Sequence, residues 1–139
     1  MFRCSSVIAL AVGFVSLALV APLQAQSSDR VPRIGLDGPE LDACSSIGKV
    51  FNLYETGRPY LSVRSIPGNG SREKARLYPG VLVWMCESDG DWQGIVFASG
   101  NYQDLGDCRL GTPVAQPQAY DGPCLHGWVP GRYIDFVAG

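Results

Sequence analysis

Two cysteines and the chain's one histidine lie close together in DCRLGTPVAQPQAYDGPCLHGWV, residues 107–129. These residue types can bind zinc, build a thiol active site or, for the cysteines, form a disulfide. A zinc site usually begins with a close cysteine pair, whereas here only Cys124 and His126 are close. A thiol enzyme needs a base beside a low-pKa cysteine that has no disulfide partner, and His126 is the one imidazole. We therefore expect no metal, no cofactor and no catalysis, and we favour a disulfide.

The first 25 residues, MFRCSSVIALAVGFVSLALVAPLQA, have the order of a secretory signal peptide. Arg3 precedes an uncharged apolar run from Val7 to Val20, and Ala25 is a small residue at a plausible cleavage point. The run is short for a membrane span, which needs about 20 apolar residues, and no basic stop-transfer residues follow it. We predict that residues 1–25 are removed and that the protein is periplasmic or secreted, without membrane insertion.

Beyond the predicted signal peptide the sequence has four cysteines: Cys44, Cys86, Cys108 and Cys124. An even number in an exported chain predicts two disulfides. Pairing Cys108 with Cys124 would restrain a loop rich in glycine and proline, and pairing Cys44 with Cys86 would tie the first strand to VLVWMC. Pairing of Cys44 with Cys124 or Cys108 remains open at this point.

The charge of the chain is nearly balanced, with 11 Lys and Arg, 13 Asp and Glu and a net charge of −2. No basic cluster is present, so neither a nucleic-acid footprint nor docking to anionic lipid is expected. The sequence also has no paired-carboxylate hydrolase pattern, no glycine-rich phosphate loop and no G-x-S-x-G. These patterns favour a binding protein over an enzyme.

Short apolar runs separated by turn residues begin at Cys44. The runs have strand length, and glycine- and proline-containing segments such as ETGRP, PGNGS and SDGD separate them: IGKVFNLY, YLSVRS, VLVWMC, WQGIVF, GWV and YIDFVAG. The best helical window, SREKARLY, is short and ends at Pro79. We predict one all-β domain over residues 44–139, a small barrel or sandwich, after a flexible arm over residues 26–43. Residues 98–126 have no clear strand and form a predicted inserted loop, which is usually functional or tied down.

Three segments follow one another along the chain: YLSVRSIPGNGS, LYPGVLVWMCESDGDWQGIVF and GWVPGRYI. Together they resemble the bacterial SH3 domain family over roughly residues 61–134. The resemblance implies a small SH3-like β-barrel with an extracytoplasmic role, often recognition of cell-wall peptidoglycan or its peptides. The chain departs from the family pattern in the long insertion before GWV.

Strand alternation predicts which side chains are buried. In LSVR, Leu61 and Val63 share one face while Ser62 and Arg64 share the other. The same alternation directs Trp84 inward together with a bridged Cys86. Trp92 and Gly94 also share a face, where Gly94 permits the close approach of another chain segment.

Six residues are candidates for a ligand-binding surface. Tyrosine combines contact area with a polar tip, and an arginine can anchor a carboxylate. The two tryptophans of the set match those of the SH3 pattern. Each candidate has a structural alternative: packing for the aromatic residues, and a solvated strand face or an internal ion pair for the arginine. The candidates are Tyr60, Arg64, Trp92, Tyr120, Trp128 and Tyr133.

The sequence therefore predicts an exported SH3-like binding module that recognises cell-wall peptidoglycan or a peptide, with no catalysis of its own. The alternative is a structural or inhibitory protein that binds an exported protein partner through the stapled insertion. In that case the barrel would serve as a rigid base, since loops on rigid scaffolds commonly carry function.

Overall fold

The computed structural model describes residues 20–21, 28–99 and 104–139, and almost all of the predicted signal peptide lies outside them. Within the described residues the chain forms nine strands: β1 (Arg33–Ile34), β2 (Ser46–Val50), β3 (Leu61–Arg64), β4 (Glu73–Leu77), β5 (Leu82–Asp89), β6 (Trp92–Phe97), β7 (Gln118–Ala119), β8 (Leu125–Pro130) and β9 (Ile134–Ala138). Two 3-10 turns, Leu53–Thr56 and Gly131–Tyr133, complete the secondary structure. The predicted all-β class is confirmed. No helix in these ranges is long and apolar enough to cross a membrane.

Seven of the strands form one antiparallel sheet in the order β4, β3, β8, β6, β5, β2, β9. The sheet keeps two edges, at β4 and β9, so its ladder of hydrogen bonds does not close on itself. The remaining strands, β1 and β7, pair antiparallel in a small second sheet.

The main core follows from the alternation of side chains along these strands. Leu61 and Val63 are 3% and 0% exposed, whereas Ser62 and Arg64 are only partly buried on the other face. The predicted faces of β3 are therefore confirmed. The residues packed with them come from most of the strands: Val50, Leu53, Leu77, Val81, Val83, Ile95, Phe97, Val129, Tyr133 and Ile134.

A second apolar cluster lies on the opposite face of the sheet. Ile95 belongs to the main core and its neighbour Val96 to the second cluster, because successive strand residues point to opposite faces. Trp84 packs against the second cluster and donates its Nε1–H to the Leu105 carbonyl at 3.3 Å, on the side predicted for it. The cluster consists of Ile34, Ala43, Cys44, Cys86, Val96, Cys108, Leu110 and Tyr120.

The N-terminal segment differs from the expected flexible arm over residues 26–43. Its described part, residues 28–43, packs along the sheet, with Ile34 only 3% exposed. The Pro32 carbonyl accepts a hydrogen bond from the Tyr120 N–H at 2.9 Å, and β1 pairs with β7. The arm packs because the inserted loop supplies a partner strand and apolar side chains that no local pattern in the arm reveals.

Besides β1 of the arm, two further strands lie where the sequence predicts none. The segment SREKARLY contains β4, whose polar residues suit a sheet edge, since charged side chains protect edges from further pairing. The predicted inserted loop contains the two-residue strand β7, and β8 already begins at Leu125 inside it. Both strands are specified mainly by the neighbours they pair with.

Both predicted disulfides are confirmed. Cys44 and Cys86 are joined with their Cα atoms 4.7 Å apart, and Cys108 and Cys124 with theirs 5.3 Å apart. The first bond links the segment just before β2 with strand β5. The second closes the inserted loop. Two disulfides indicate folding in an oxidising compartment.

Replacing Cys108 and Cys124 together with alanine is expected to lower the free energy of unfolding by about 3 kcal/mol, the chain-entropy value for a loop of this size. The cysteines lie 16 positions apart, and the loop between them contributes few buried side chains of its own. Urea denaturation of the wild type and the variant, both without reductant, measures the difference. An unchanged urea midpoint would show that the loop is held by packing alone.

Candidate ligand-binding cleft

Four of the six predicted ligand-binding residues line one cleft of about 370 Å³ on the outer face of the sheet. They are Tyr60, Arg64, Trp92 and Tyr133. Tyr60 and Arg64 lie just before and on β3, Trp92 begins β6, and Tyr133 ends the second 3-10 turn. The fold therefore brings together residues that are far apart in the sequence. The volume lies within the range of about 300–1,000 Å³ that is typical of small-ligand sites.

A second cavity of about 540 Å³ adjoins the first. The two cavities share the side chains of Asn69, Trp92, Pro130 and Arg132. The shared residues make one continuous groove that runs from Tyr60 past Trp92 toward the β5–β6 turn. A groove of this kind has room for several residues of a peptide.

The sheet positions the centre of the groove through its register. Trp92 of β6 pairs with Pro130 of β8, and Arg64 of β3 pairs with Trp128 of β8. Because paired residues share a face, Trp92, Pro130 and Arg64 all project on the side away from the main core. The Arg64 Nη1 donates to the Ser71 carbonyl at 3.0 Å, which fixes the guanidinium over the β3–β4 turn.

Two turns hold the rim of the cleft. The Thr56 hydroxyl donates to the Leu53 carbonyl at 2.7 Å and accepts the Arg58 N–H at 3.0 Å, so the turn that carries Arg58 is braced from within. In the β3–β4 turn, the Ser71 hydroxyl lies 2.9 Å from the Ile66 carbonyl and 2.8 Å from that of Gly68. Asn69 is therefore presented on a braced turn as well.

The opposite wall comes from the 3-10 turn Gly131–Tyr133. The Gly131 N–H donates to the Asp91 carbonyl at 2.8 Å and ties this wall to the β5–β6 turn. The Arg132 guanidinium lies 5.0 Å from the centroid of the Tyr133 ring. Tyr133 itself is 5% exposed, so it forms the floor of the cleft while also packing in the main core.

The cleft is positively charged. Arg58, Arg64 and Arg132 line it, and its described lining includes no acidic side chain. Among residues 28–99 and 104–139, none of the ion pairs includes one of these three arginines. Asp91 lies in the adjoining cavity, at the far end of the groove.

The nearest carboxylate on the β4 side is already occupied. Glu73 accepts hydrogen bonds from the Ser62 hydroxyl and from the Arg76 Nε, the latter at 2.7 Å. The bond from Ser62, followed by that from Arg76, lowers the pKa of Glu73 from its usual value. Glu73 therefore stays ionised, and its hydrogen bonds hold it on Ser62 and Arg76, while its charge also acts on Arg64 of the cleft.

Tyr60 forms the aromatic end of the cleft. Its ring lies 4.2 Å from the Arg76 guanidinium carbon and 5.9 Å from that of Arg58, measured to the ring centroid. Such cation–π contacts hold the ring and the cations at fixed positions. The end of the cleft thus combines a flat apolar surface with hydrogen-bond donors.

The other two predicted residues lie outside the cleft. Trp128 is fully buried, and its Nε1–H donates to the Arg30 carbonyl at 2.7 Å. Tyr120 is 5% exposed in the second cluster, where its hydroxyl donates to the Cys108 carbonyl and accepts the Cys124 N–H, both at 3.0 Å. Both side chains are covered because the arm and the inserted loop fold over this face, so neither is exposed to a ligand.

His126 lies away from the cleft, half-buried on β8. Its Nδ1 is 3.3 Å from the Lys74 Nζ, and its ring meets the Tyr120 ring edge-on at 6.0 Å between centroids. Burial, followed by the charge of Lys74, lowers the pKa of His126 below its usual 6.5, although Asp29 acts in the opposite direction. Across the described ranges, no group of three or more His, Cys, Asp or Glu side chains is placed to hold a metal ion.

The lowered pKa of His126 makes stability dependent on pH. Below 6.5 the unfolded chain takes up a proton on this histidine more readily than the folded chain does. Stability therefore rises with pH in the window between the folded pKa and 6.5. We expect thermal unfolding to show this slope in the wild type and not in His126→Gln, while the acid loss due to Asp29, which titrates lower, persists in both. An identical slope in both proteins would contradict the assignment to His126.

Sequence reasoning missed seven residues that line the cleft, and three of them carry its exposed polar or charged groups at the rim: Arg58, Asn69 and Arg132. All three lie in turns, where no periodicity marks the direction of a side chain. Their only signal in the sequence is that each lies within a segment containing glycine and proline: ETGRP, PGNGS or VPGRY. A search for arginines within such segments would have found two of them.

Comparison of the chain with family models, curated proteins and solved structures finds no match.

Proposed function

We propose that this chain is an exported, SH3-like binding module whose cleft holds the carboxylate of a peptide, such as a stem peptide of cell-wall peptidoglycan. One observation carries the proposal: Arg64, Trp92 and Tyr60 meet Arg58 and Arg132 in a single cleft. The periplasm or the cell exterior is the compartment that we propose, in keeping with the two disulfides.

The SH3-like assignment is supported by the places that the three family-like segments take in the sheet. YLSVRS forms β3, VLVWMCESDGDWQGIVF forms β5 and β6, and GWVP forms the end of β8. In the sheet, β8 lies between β3 and β6, and β6 lies beside β5. The segments that resemble the family thus form one continuous block of neighbouring strands, and the cleft lies across it.

A carboxylate fits the cleft because of the chemistry of its walls. The guanidinium group offers planar pairs of N–H donors that match the two oxygens of a carboxylate. Arg64 is held in place by the Ser71 carbonyl, so less side-chain freedom is lost when a ligand binds. Trp92 and Pro130 provide an adjacent apolar surface for a neighbouring residue of the peptide.

A pair of matched peptides tests this proposal. Each peptide of the pair has the same sequence, one with a free C-terminal carboxylate and one with an amide in its place. Hydrogen bonds to charged groups contribute about 1.5–3 kcal/mol, so we expect roughly 10- to 100-fold weaker binding of the amide by calorimetry. Binding of the free acid should also weaken as salt is raised. Equal affinity of both peptides across a panel would overturn the carboxylate proposal.

Sedimentation with purified sacculi separates a cell-wall ligand from a free peptide ligand. Co-sedimentation that the free-acid peptide competes away would support binding to peptidoglycan stem peptides. Mass spectrometry of the mature protein tests export, with Gln26 as the expected first residue. A mature chain that retains residues 1–25 would contradict the export part of the proposal.

A further inference from the structure

Residues 29–33 of the arm, Asp-Arg-Val-Pro-Arg, cross the outer face of the sheet beside the cleft. The Arg30 N–H donates to the Ser65 carbonyl at 2.9 Å, and the Arg30 carbonyl accepts the Trp128 Nε1–H at 2.7 Å. The Arg30 guanidinium lies 4.5 Å from the centroid of the Trp128 ring. The backbone and the side chain of Arg30 are thus both recognised by the surface beneath.

Pro32 fills a recess that Gly94 leaves open. A Cβ atom at Gly94 would lie 3.0 Å from the Pro32 Cβ and 3.1 Å from the Trp128 Cη2. A larger residue at position 94 would therefore displace the proline, the indole or both. The Pro32 carbonyl accepts the Tyr120 N–H at 2.9 Å, so this residue is also held by its backbone.

Two carboxylates complete the surface. Arg30 forms ion pairs with Asp89 and with Glu87, the latter at 2.6 Å. The second oxygen of Glu87 accepts the Arg33 N–H at 2.8 Å. An indole face beside two acidic groups, with a recess two residues further along, matches the spacing of an Arg-x-Pro segment.

From these contacts we infer that the surface formed by Trp128, Gly94, Glu87 and Asp89 is a binding site for Arg-x-Pro segments, which we call the strap site. Residues 29–32 are its resident ligand, and a partner polypeptide with an Arg-x-Pro segment can take their place. Aromatic grooves that receive proline-containing segments are a recurring mode of peptide recognition. The strap site is distinct from the arginine-lined cleft, because its charged groups are acidic.

The leading part of the strap can leave without unfolding the domain. The Arg30 and Asp89 side chains are 42% and 47% exposed, so salt and water screen their ion pair. Ile34, by contrast, is 3% exposed, and β1 remains paired with β7. Exchange at residues 29–32 therefore leaves β1 in place. It breaks the Asp29 ion pairs with Arg72 and Lys74 and uncovers the sheet beneath Val31 and Pro32, which an incoming segment must cover again.

The resident strap competes strongly because it is tethered. A short tether gives an effective concentration in the millimolar range, which suppresses binding of the same segment from a second molecule. Weakening the strap should therefore reveal binding in trans. Arg30→Ala combined with Pro32→Gly removes the two side chains that the site recognises, while the described residues from Arg33 onward stay as they are.

The test uses an acetylated and amidated peptide with the sequence of residues 28–32, SDRVP, labelled with a fluorophore. Capping both ends removes the terminal carboxylate that the cleft would hold. We expect the double variant to bind this peptide at least about tenfold more tightly than the wild type does, with a shift of the Trp128 indole N–H resonance in NMR spectra. A matched peptide with glutamate for the arginine and glycine for the proline should not bind.

Circular dichroism and thiol titration first establish that the double variant is folded with both disulfides formed. If the folded variant then binds neither peptide, or binds both equally, the strap site is overturned. A variant that fails to fold is replaced by Arg30→Ala alone, judged by the same two peptides. The carboxylate-bearing peptide used for the cleft should bind all of these variants as it binds the wild type, so failure of one proposal is distinguishable from failure of the other.

Discussion

Trp128→Ala is expected to lower the free energy of unfolding by about 3–5 kcal/mol, the usual cost of removing a large buried aromatic side chain. The Trp128 side chain is fully buried, and its removal leaves a cavity between the sheet and the arm. The Arg30 carbonyl would also lose its indole donor, and Pro32 would lose the surface against which it packs. Urea denaturation monitored by circular dichroism measures the change.

Trp92→Ala is the matched control. Trp92 is only partly buried and lines the cleft, so its removal exposes little new apolar surface. We expect its cost to be below about 1 kcal/mol, as for substitutions outside the core. The ligand of the cleft should nevertheless bind more weakly to Trp92→Ala. Equal destabilisation by the two replacements would contradict the division into a structural and a ligand-facing tryptophan.

Local patterns predicted the parts of the fold that are decided locally. Alternation in LSVR placed Leu61 and Val63 inside and Arg64 outside, because a strand with one buried face leaves no other arrangement. The close approach predicted at Gly94 is also present, with Pro32 and Trp128 against it. The disulfides followed from the even cysteine count and from the need to restrain a long loop.

Local patterns failed where an element is specified by a distant partner. Arg33 of β1 pairs with Ala119 of β7, and neither two-residue strand has a periodicity of its own. The sequence therefore predicts a flexible arm and an inserted loop without a clear strand, whereas together these segments bury Ile34 and Tyr120. The inserted loop thus covers the arm, and this packing is the structural reason for its disulfide clasp.

The same limit explains the incomplete prediction of the cleft. Arg64 and Trp92 lie on strands, so alternation indicated the face on which each would appear. Arg58 and Arg132 lie in or beside 3-10 turns, where the direction of a side chain depends on the tertiary fold. The positive charge of the cleft is the property that best indicates its ligand. A net charge of only −2 for the whole chain does not predict it.

Arg132→Gln is expected to weaken binding of a carboxylate-bearing peptide roughly 10- to 100-fold, the equivalent of a lost hydrogen bond to a charged group. Arg132 is exposed and borders both cavities, so the folded structure should tolerate the change. Arg109→Gln is the matched control, since Arg109 is exposed in the inserted loop and absent from the lining of either cavity. Both variants lose one positive charge, so a fall in affinity confined to Arg132→Gln assigns the effect to the cleft rather than to net charge.

Asn69→Asp tests the positive charge of the cleft by adding a negative charge to its rim. Asn69 lies on the rim shared by the two cavities, and the change replaces an amide with a carboxylate of nearly equal size. The new charge would pair with the cleft arginines and repel an anionic ligand, so affinity should fall about tenfold at low salt and recover partly as salt screens the repulsion. The ligand's amide form should be almost insensitive to the replacement. If Asn69→Asp and Arg132→Gln both leave the affinity for the free acid unchanged, the cleft does not recognise the charge of the ligand. The apolar surface of Trp92 and Pro130 would then be the part of the groove that selects its partner.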